Sequence, residues 1–233
     1  MQHACGNRGG RTAMLLHPSV TGRAPVEGIV FDLDGVLIQS RAAHAEAFRE
    51  VLADFGIHDF EYDRFAGWRT PEVFRAVFTQ HTMPAGEEVV AECSRRKSER
   101  ARAVLASGDF LEPGCVAAIE ELAGRYRVAL ASSGSRESVQ SFLDRTGLTF
   151  QSVLTGDDVT NAKPDPEIFR RSIEALGVRP ENCVVVEDAV AGVQAARAAG
   201  ARAIGFSAEN GEQLTAAGAS IVVRSLEELL RTL

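Results

Sequence analysis

Cysteine, long apolar runs and excess positive charge are all scarce in this chain, and each shortage removes a class of explanation. The four cysteines, Cys5, Cys93, Cys115 and Cys183, are scattered. They have neither the paired spacing of a metal site nor the density of a disulfide scaffold, which points to a reducing, cytoplasmic setting. No stretch approaches the roughly 18 consecutive apolar residues of a membrane span, so no membrane partner is expected. The apolar run near the N-terminus, Ala13 to Leu16, is too short for the core of a signal peptide. With a net charge of −7 the chain lacks the basic footprint that a phosphate backbone requires, and nucleic acid is not an expected partner. Basic residues gather at 95–97 and 100–102, but Glu92 and Glu99 intersperse them as on a solvated helix face.

What is present suffices for one large domain or two small ones: 233 residues, 45% of them hydrophobic. Residues 1–24 carry Gly, Arg, Asn, Thr and Pro without apolar periodicity and read as a disordered extension. Gly28 to Phe31 then forms a short apolar run with the composition of a buried strand, ending on Asp32 and Asp34 with Gly35 directly after. Between 41 and 112 only helices are expected. One runs from Arg41 to Phe55, closed by Gly56; a second is capped by Thr70 with Pro71 in its first turn; a third covers Glu87 to Leu105.

After Pro113 helix and strand alternate strictly. Strands are expected at Val128–Ala131, Val153–Leu154, Cys183–Val186, Ala203–Phe206 and Ile221–Val223. Asp165 can cap the helix that Pro166 starts, and Ser225 with Glu228 has capping-box spacing for the last helix. Repeated β-α units imply an α/β fold, a doubly wound and mostly parallel sheet covered on both faces. Residues 25–40 and 113–233 would then form a Rossmann-like core. Residues 41–112 would form a helical cap inserted after the first strand and positioned as a lid.

Four strand ends carry polar groups to one edge of such a sheet. They deliver Asp32 and Asp34; Ser132, Ser133 and Gly134; Asn161 to Asp165, including Lys163; and Glu187 and Asp188. Each has a plain reading alone: a helix-capping serine, a surface lysine, an acidic pair favourable to a helix dipole. Together, four carboxylates and one lysine would carry about −3 charge, which mutual repulsion opposes and a divalent cation resolves. The ligands on offer are hard oxygens, favouring magnesium over zinc. A phosphate fits best between cation, lysine, hydroxyls and backbone N–H groups. One acid of the first pair could attack phosphorus while its neighbour protonates the leaving oxygen.

These segments resemble the four motifs of the haloacid dehalogenase superfamily, and within it the phosphatase and β-phosphoglucomutase-like branch with a helical cap. Asp-Leu-Asp-Gly-Val-Leu resembles motif one and implies Asp32 as nucleophile and Asp34 as acid–base group. Ala-Ser-Ser-Gly resembles motif two, implying phosphate binding by Ser132, Ser133 and Gly134. Lys163 and the Pro-Asp-Pro after it resemble motif three. Val-Val-Glu-Asp-Ala resembles motif four, which implies magnesium ligands among Asp32, Asp34 (through its carbonyl), Glu187 and Asp188. In the cap, His44 sits where the mutases place a histidine near the acid–base aspartate. Trp68 and Arg69 occupy the substrate-reading loop, Trp68 either stacking on a sugar or filling the cap core. Lys97 aligns with a mutase cap lysine. Thr70 stands where the mutases carry arginine, Ala66 where they often carry lysine, and Gln39 replaces an aspartate usual beside the hinge.

The resemblance implies a magnesium-dependent phosphatase of a small phosphomonoester, most simply a sugar phosphate, working through an aspartyl phosphate as a monomer, with a dimer open. Its nearest rival is a β-phosphoglucomutase. A dehalogenase would not need Asp34, and a catalytically dead binding protein would not need the acid pair. From another class comes a receiver-like phosphoacceptor, for which Asp157 after the third strand would be the acceptor.

Overall fold

The computed structural model describes residues 24–83 and 85–233; apart from Ala24, the extension expected over 1–24 lies outside the described residues. The core is a six-stranded sheet in the order β3-β2-β1-β4-β5-β6, every neighbouring pair parallel. The strands are β1 Gly28–Phe31, β2 Arg127–Ala131, β3 Ser152–Leu154, β4 Cys183–Glu187, β5 Arg202–Phe206 and β6 Ile221–Val223. This is the order expected of a doubly wound sheet, with the topological switch beside β1.

Alternation along the strands sends successive side chains to opposite faces. Ile29, Phe31, Val128, Leu130, Val184 and Val186 meet the helices α4 (Cys115–Ala123), α5 (Arg136–Thr146) and α9 (Leu226–Thr232). Val30, Ala129, Ala131, Val185 and Ala203 meet α6 (Glu167–Leu176), α7 (Val190–Ala198) and α8 (Gly211–Ala216). Small residues are frequent on the second face, with Ala129, Ala131 and Ala203 from the strands and Ala195 and Ala196 from α7.

The block between β1 and α4 holds α1 (Arg41–Ala53), α2 (Thr70–Gln80) and α3 (Glu87–Ser107), with no strand among the described residues. It has an apolar core of its own, centred on Phe48, Phe74 and Phe78. Phe48 stands 5.1 Å from the Phe60 ring and 5.2 Å from Phe74, and aromatic pairs of this kind contribute about 0.5–1.5 kcal/mol beyond their buried area. Several local details differ from the sequence reading. Thr70 is the first residue of α2 rather than its cap, and Arg69 precedes the helix without a side-chain cap bond. The helix α1 stops at Ala53, three residues before the left-handed Gly56. The short α8 was not foreseen, since it lacks a capping residue with a side-chain bond and has a single buried side chain, Leu214. Ser225 does accept the Glu228 N–H, but the Glu228 carboxylate takes the Arg224 N–H, one residue before the helix cap.

Two chain crossings join cap and core, and they pair with each other. Ile38 bridges Leu111 in antiparallel fashion, the Gln39 N–H donates to the Phe110 carbonyl (2.7 Å), and the Glu112 N–H donates to that of Leu37 (3.0 Å). Across this hinge the Gln39 amide donates to the buried Glu112 carboxylate at 2.7 Å. Gln39 is thus a strut between the crossings. Gln39→Ala leaves a buried carboxylate short of a donor, and the unfolding midpoint in urea should fall by the equivalent of about 1–3 kcal/mol.

Candidate active site

β1 lies between β2 and β4, so the residues that follow it stand at the middle of the sheet edge. Asp32 is anchored there by its own N–H, which donates to the Val186 carbonyl at 3.0 Å. Gly35 takes φ +80°, and a Cβ at this position would come within 2.0 Å of the Asp188 carboxylate. Glycine is therefore what lets the first and fourth strand ends approach each other.

Lys163 reaches into this space from the loop between β3 and α6, after which the peptide bond to Pro164 is cis. Its ammonium donates to Asp32 Oδ1 at 2.5 Å and to Glu187 Oε1 at 2.8 Å, with all three side chains buried. Burial would lower the lysine's pKa, but the charges of Asp32 and Glu187 outweigh it and hold the ammonium above its ordinary value. Burial pushes the Asp32 carboxyl up to about 7, with Lys163 opposing the shift and Glu187 and Asp34 adding to it. Glu187, counted from the sequence among the metal ligands, has both oxygens engaged, since Oε2 accepts the Ala189 N–H at 2.7 Å. It backs the lysine. Its space is made by Gly192 of α7, where a Cβ would fall 1.7 Å from Glu187 Oε1.

Asp34 is held differently. Its Oδ1 accepts the Ser40 hydroxyl at 2.5 Å and lies 2.7 Å from His44 Nε2. Behind the histidine, Lys97 Nζ stands 3.0 Å from Nδ1 and 3.5 Å from the Thr70 hydroxyl. An ammonium only donates, so Nδ1 is the acceptor and the imidazole proton sits on Nε2, facing Asp34. Burial would raise the Asp34 carboxyl, but His44 and Ser40 hold it well below the usual carboxylate range. Burial also lowers Lys97, to about 8. Ser40 and Lys97 are the residues that sequence reasoning left aside or weighed lightly. The signal for Lys97 was present: it falls on the buried stripe of α3 with Val90, Cys93 and Ala101, where an unpaired lysine would be costly.

These groups enclose a cavity of about 50 Å³. Asp32, Asp34, Asp188, Ser133 and Gly134 line it from the core; His44, Tyr62, Trp68 and Lys97 line it from the cap. Ser132 is fully buried beneath its loop, its hydroxyl accepting the Gly134 N–H at 3.0 Å. The Ser133 hydroxyl crosses to the cap and donates to the Gly67 carbonyl at 2.8 Å. Trp68 does not fill the cap core: it borders the cavity and packs edge-on against Phe65, with 40% of its surface exposed. Arg69 is not on the cavity wall. Its guanidinium grips the Gly156, Val159 and Thr160 carbonyls of the core and the carboxylate of Glu72, so it fastens cap to core.

Asp188 is raised well above the ordinary carboxylate range by burial and by the charges of Glu187, Asp32 and Asp34. Negative charge is in excess here, and a cation would relieve it. Among the described residues no three His, Cys, Asp or Glu side chains form a ready-made cage. Magnesium does not need one, because it keeps several waters and takes one or two carboxylates. The Asp32 and Asp188 carboxylates with the Asp34 main-chain oxygen are a hard-oxygen set that fits it. Asp157 is elsewhere, with its carboxylate on the Arg136 N–H at the start of α5. That placement and the strand order both differ from a receiver, whose sheet runs 2-1-3-4-5.

Comparison with known proteins agrees with this architecture. The chain belongs to the haloacid dehalogenase-like hydrolases, whose family model matches residues 26–200. It is similar to the phosphorylated carbohydrates phosphatase of Thermotoga maritima, 32% identical over 89% of this chain and 98% of the relative. It is likewise similar to the fructose-1-phosphate phosphatase YqaB of Escherichia coli, 32% identical over 76% of this chain and 94% of the relative. Among solved structures, β-phosphoglucomutase from Clostridium difficile superposes with a TM-score of 0.77 at 26% identity, covering 88% of this chain and 93% of that one. No helix among the described residues is long and apolar enough to cross a membrane.

The bridging lysine yields a direct test. Lys163→Ala strands two buried carboxylates, and removal of one partner from such a pair costs about 3–5 kcal/mol. Unfolding in urea at neutral pH should show a loss of that order.

Proposed function

We propose that the chain is a magnesium-dependent phosphatase that hydrolyses a small phosphorylated carbohydrate through an aspartyl phosphate on Asp32. The observation that carries this reading is the meeting, at one cavity wall, of a lysine-paired carboxylate and a second carboxylate in a separate hydrogen-bond system. Two carboxylates held in separate hydrogen-bond systems, one on Lys163 and the other on Ser40 and His44, can take separate roles as nucleophile and acid–base group. The similarity to two phosphatases of phosphorylated carbohydrates supports the substrate class.

In the first half, an Asp32 oxygen forms the new bond to phosphorus while the bond to the alcohol oxygen breaks, and Asp34 gives that oxygen a proton. In the second, Asp34 takes a proton from a water whose oxygen attacks the same phosphorus, releasing inorganic phosphate and restoring the Asp32 carboxylate. The bonds from Ser40 and His44 favour the ionised form of Asp34 that takes the proton from water in the second half, and the proton it then holds is the one it gives to the leaving oxygen in the next turnover. Lys163 offsets phosphoryl charge and keeps Asp32 aimed. Magnesium on Asp32, Asp188 and the Asp34 carbonyl would supply the remaining positive charge. In the loop after β2 the Ser132 N–H donates to the Leu154 carbonyl and the Gly134 N–H to the Ser132 hydroxyl, so in this reading the Ser133 N–H is the one that would meet a phosphate oxygen.

A mutase is the second reading, favoured by the His44–Lys97 support of Asp34 and by the fold likeness to a β-phosphoglucomutase. Incubation with β-glucose 1-phosphate and a bisphosphate activator separates the two: free phosphate marks the phosphatase, glucose 6-phosphate the mutase. Asp32→Asn should lower phosphate release from p-nitrophenyl phosphate by about a thousandfold or more. Chelation should abolish release until magnesium is restored. With Asp34→Ala the phosphoenzyme should persist, because this leaving group needs no proton whereas the attacking water does; a wild-type rate of phosphoenzyme decay would remove the role given to Asp34.

A further inference from the structure

The small cavity at the acids has room for a phosphoryl group and little more, so the rest of a substrate must lie next door. A second cavity of about 420 Å³ adjoins it, sharing Asp34, His44, Lys97, Thr70 and Gly134 as common wall. It runs along the seam between α3 of the cap and α5 of the core. Much of its lining is apolar, from Ala101, Leu105, Phe110, Leu111 and Phe142. Hydroxyls of Ser98, Ser138 and Ser141 also line it, but an anion needs an answering charge, which makes the charged groups on the wall decisive.

All but one of those charged groups are already engaged. Lys97 is bound to His44 and His44 to Asp34. Arg145 donates to the Leu105 carbonyl and pairs with Asp109. Asp144 accepts from Gln140. Arg102 is the exception. It is half-buried, lines both this cavity and the larger cleft outside it, and has no hydrogen bond or ion pair among the described residues. The other arginines of α3 each have a carboxylate: Arg95 has Glu92 and Glu99, Arg96 has Asp54, and Arg100 has Glu46 and Glu50. The exposed Glu137 feels the charge of Arg102 but forms no ion pair with it. Helical spacing puts Lys97, Ser98, Ala101, Arg102 and Leu105 on one face, so the side of α3 that serves Asp34 also presents the free guanidinium.

We infer that Arg102 is a specificity-determining residue of the leaving-group cavity, and that the chain prefers phosphomonoesters whose alcohol carries a second anionic group, phosphate or carboxylate. The inference rests on the phosphatase reading. A guanidinium with five donors in a planar fork can hold either anion in bidentate fashion, and at the edge of an apolar cavity such a contact is weakly screened by water. A neutral alcohol would leave that charge half-buried and unanswered.

The test compares matched pairs with magnesium present: fructose 1,6-bisphosphate against fructose 1-phosphate, and 3-phosphoglycerate against glycerol 3-phosphate. In at least one pair kcat/KM should favour the compound with the second anionic group about tenfold or more, through KM. Arg102→Gln should bring that ratio close to one, and Arg102→Lys should retain part of it. A purely structural arginine would depress both members of a pair alike and leave the ratio standing. Equal rates within both pairs in the wild type, or an unchanged ratio in Arg102→Gln, overturns the inference while the phosphatase reading survives. If no phosphomonoester is hydrolysed, that reading falls, and calorimetric titration of the same pairs decides Arg102 by itself. Tighter binding of the member with the second anionic group that Arg102→Gln abolishes supports the site; equal binding refutes it.

Discussion

A lysine surrounded by protein has to be answered by negative charge at contact distance, or it loses its proton and the fold loses stability. Here Lys163 meets that requirement with two carboxylates from two different strand ends, and much else follows from it. Asp32 at the end of β1 and Glu187 at the end of β4 can share one ammonium only because β1 and β4 are neighbours in the sheet. Glu187 fits only beside a glycine on α7, and Asp188 only beside Gly35. The charge arrangement therefore constrains strand order, helix composition and the turn after β1 together.

The second acid is supported from the opposite side. Asp34 belongs to the core, yet Ser40, His44 and Lys97, which set its hydrogen bonding, lie at the hinge or in the cap. The two halves of the proposed chemistry are thus tuned by different parts of the molecule: the nucleophile by the sheet, the acid–base group by the inserted helices. Displacing the cap would alter Asp34 while leaving the Asp32–Lys163 pair intact.

The sheet and the convergence of strand ends were legible in the sequence because buried parallel strands announce themselves as apolar runs and their polar termini share one edge. Roles within the convergence were harder to read. Glu187 and Asp188 are adjacent carboxylates, and nothing in the order of residues says that one turns inward to a lysine and an N–H while the other faces the cavity. Arg69 looked like a substrate ligand because its loop faces the site, but the direction of a long side chain depends on carbonyls 87 to 91 residues away. Lys97 was masked by the arginines around it, since a charge run reads as a solvated face unless its helical phase is followed residue by residue. Gln39 acquired a meaning only when the returning crossing brought Glu112 against it.

The grip of Arg69 on the core has an evolutionary corollary. Its core partners, Gly156, Val159 and Thr160, contribute main-chain oxygens, atoms that every amino acid carries in common. Side chains at 159 and 160 are therefore free to drift under mutation without loosening the clasp, whereas replacing the arginine dissolves it at once. Related chains would be expected to vary on the side that is held and to be intolerant on the side that holds.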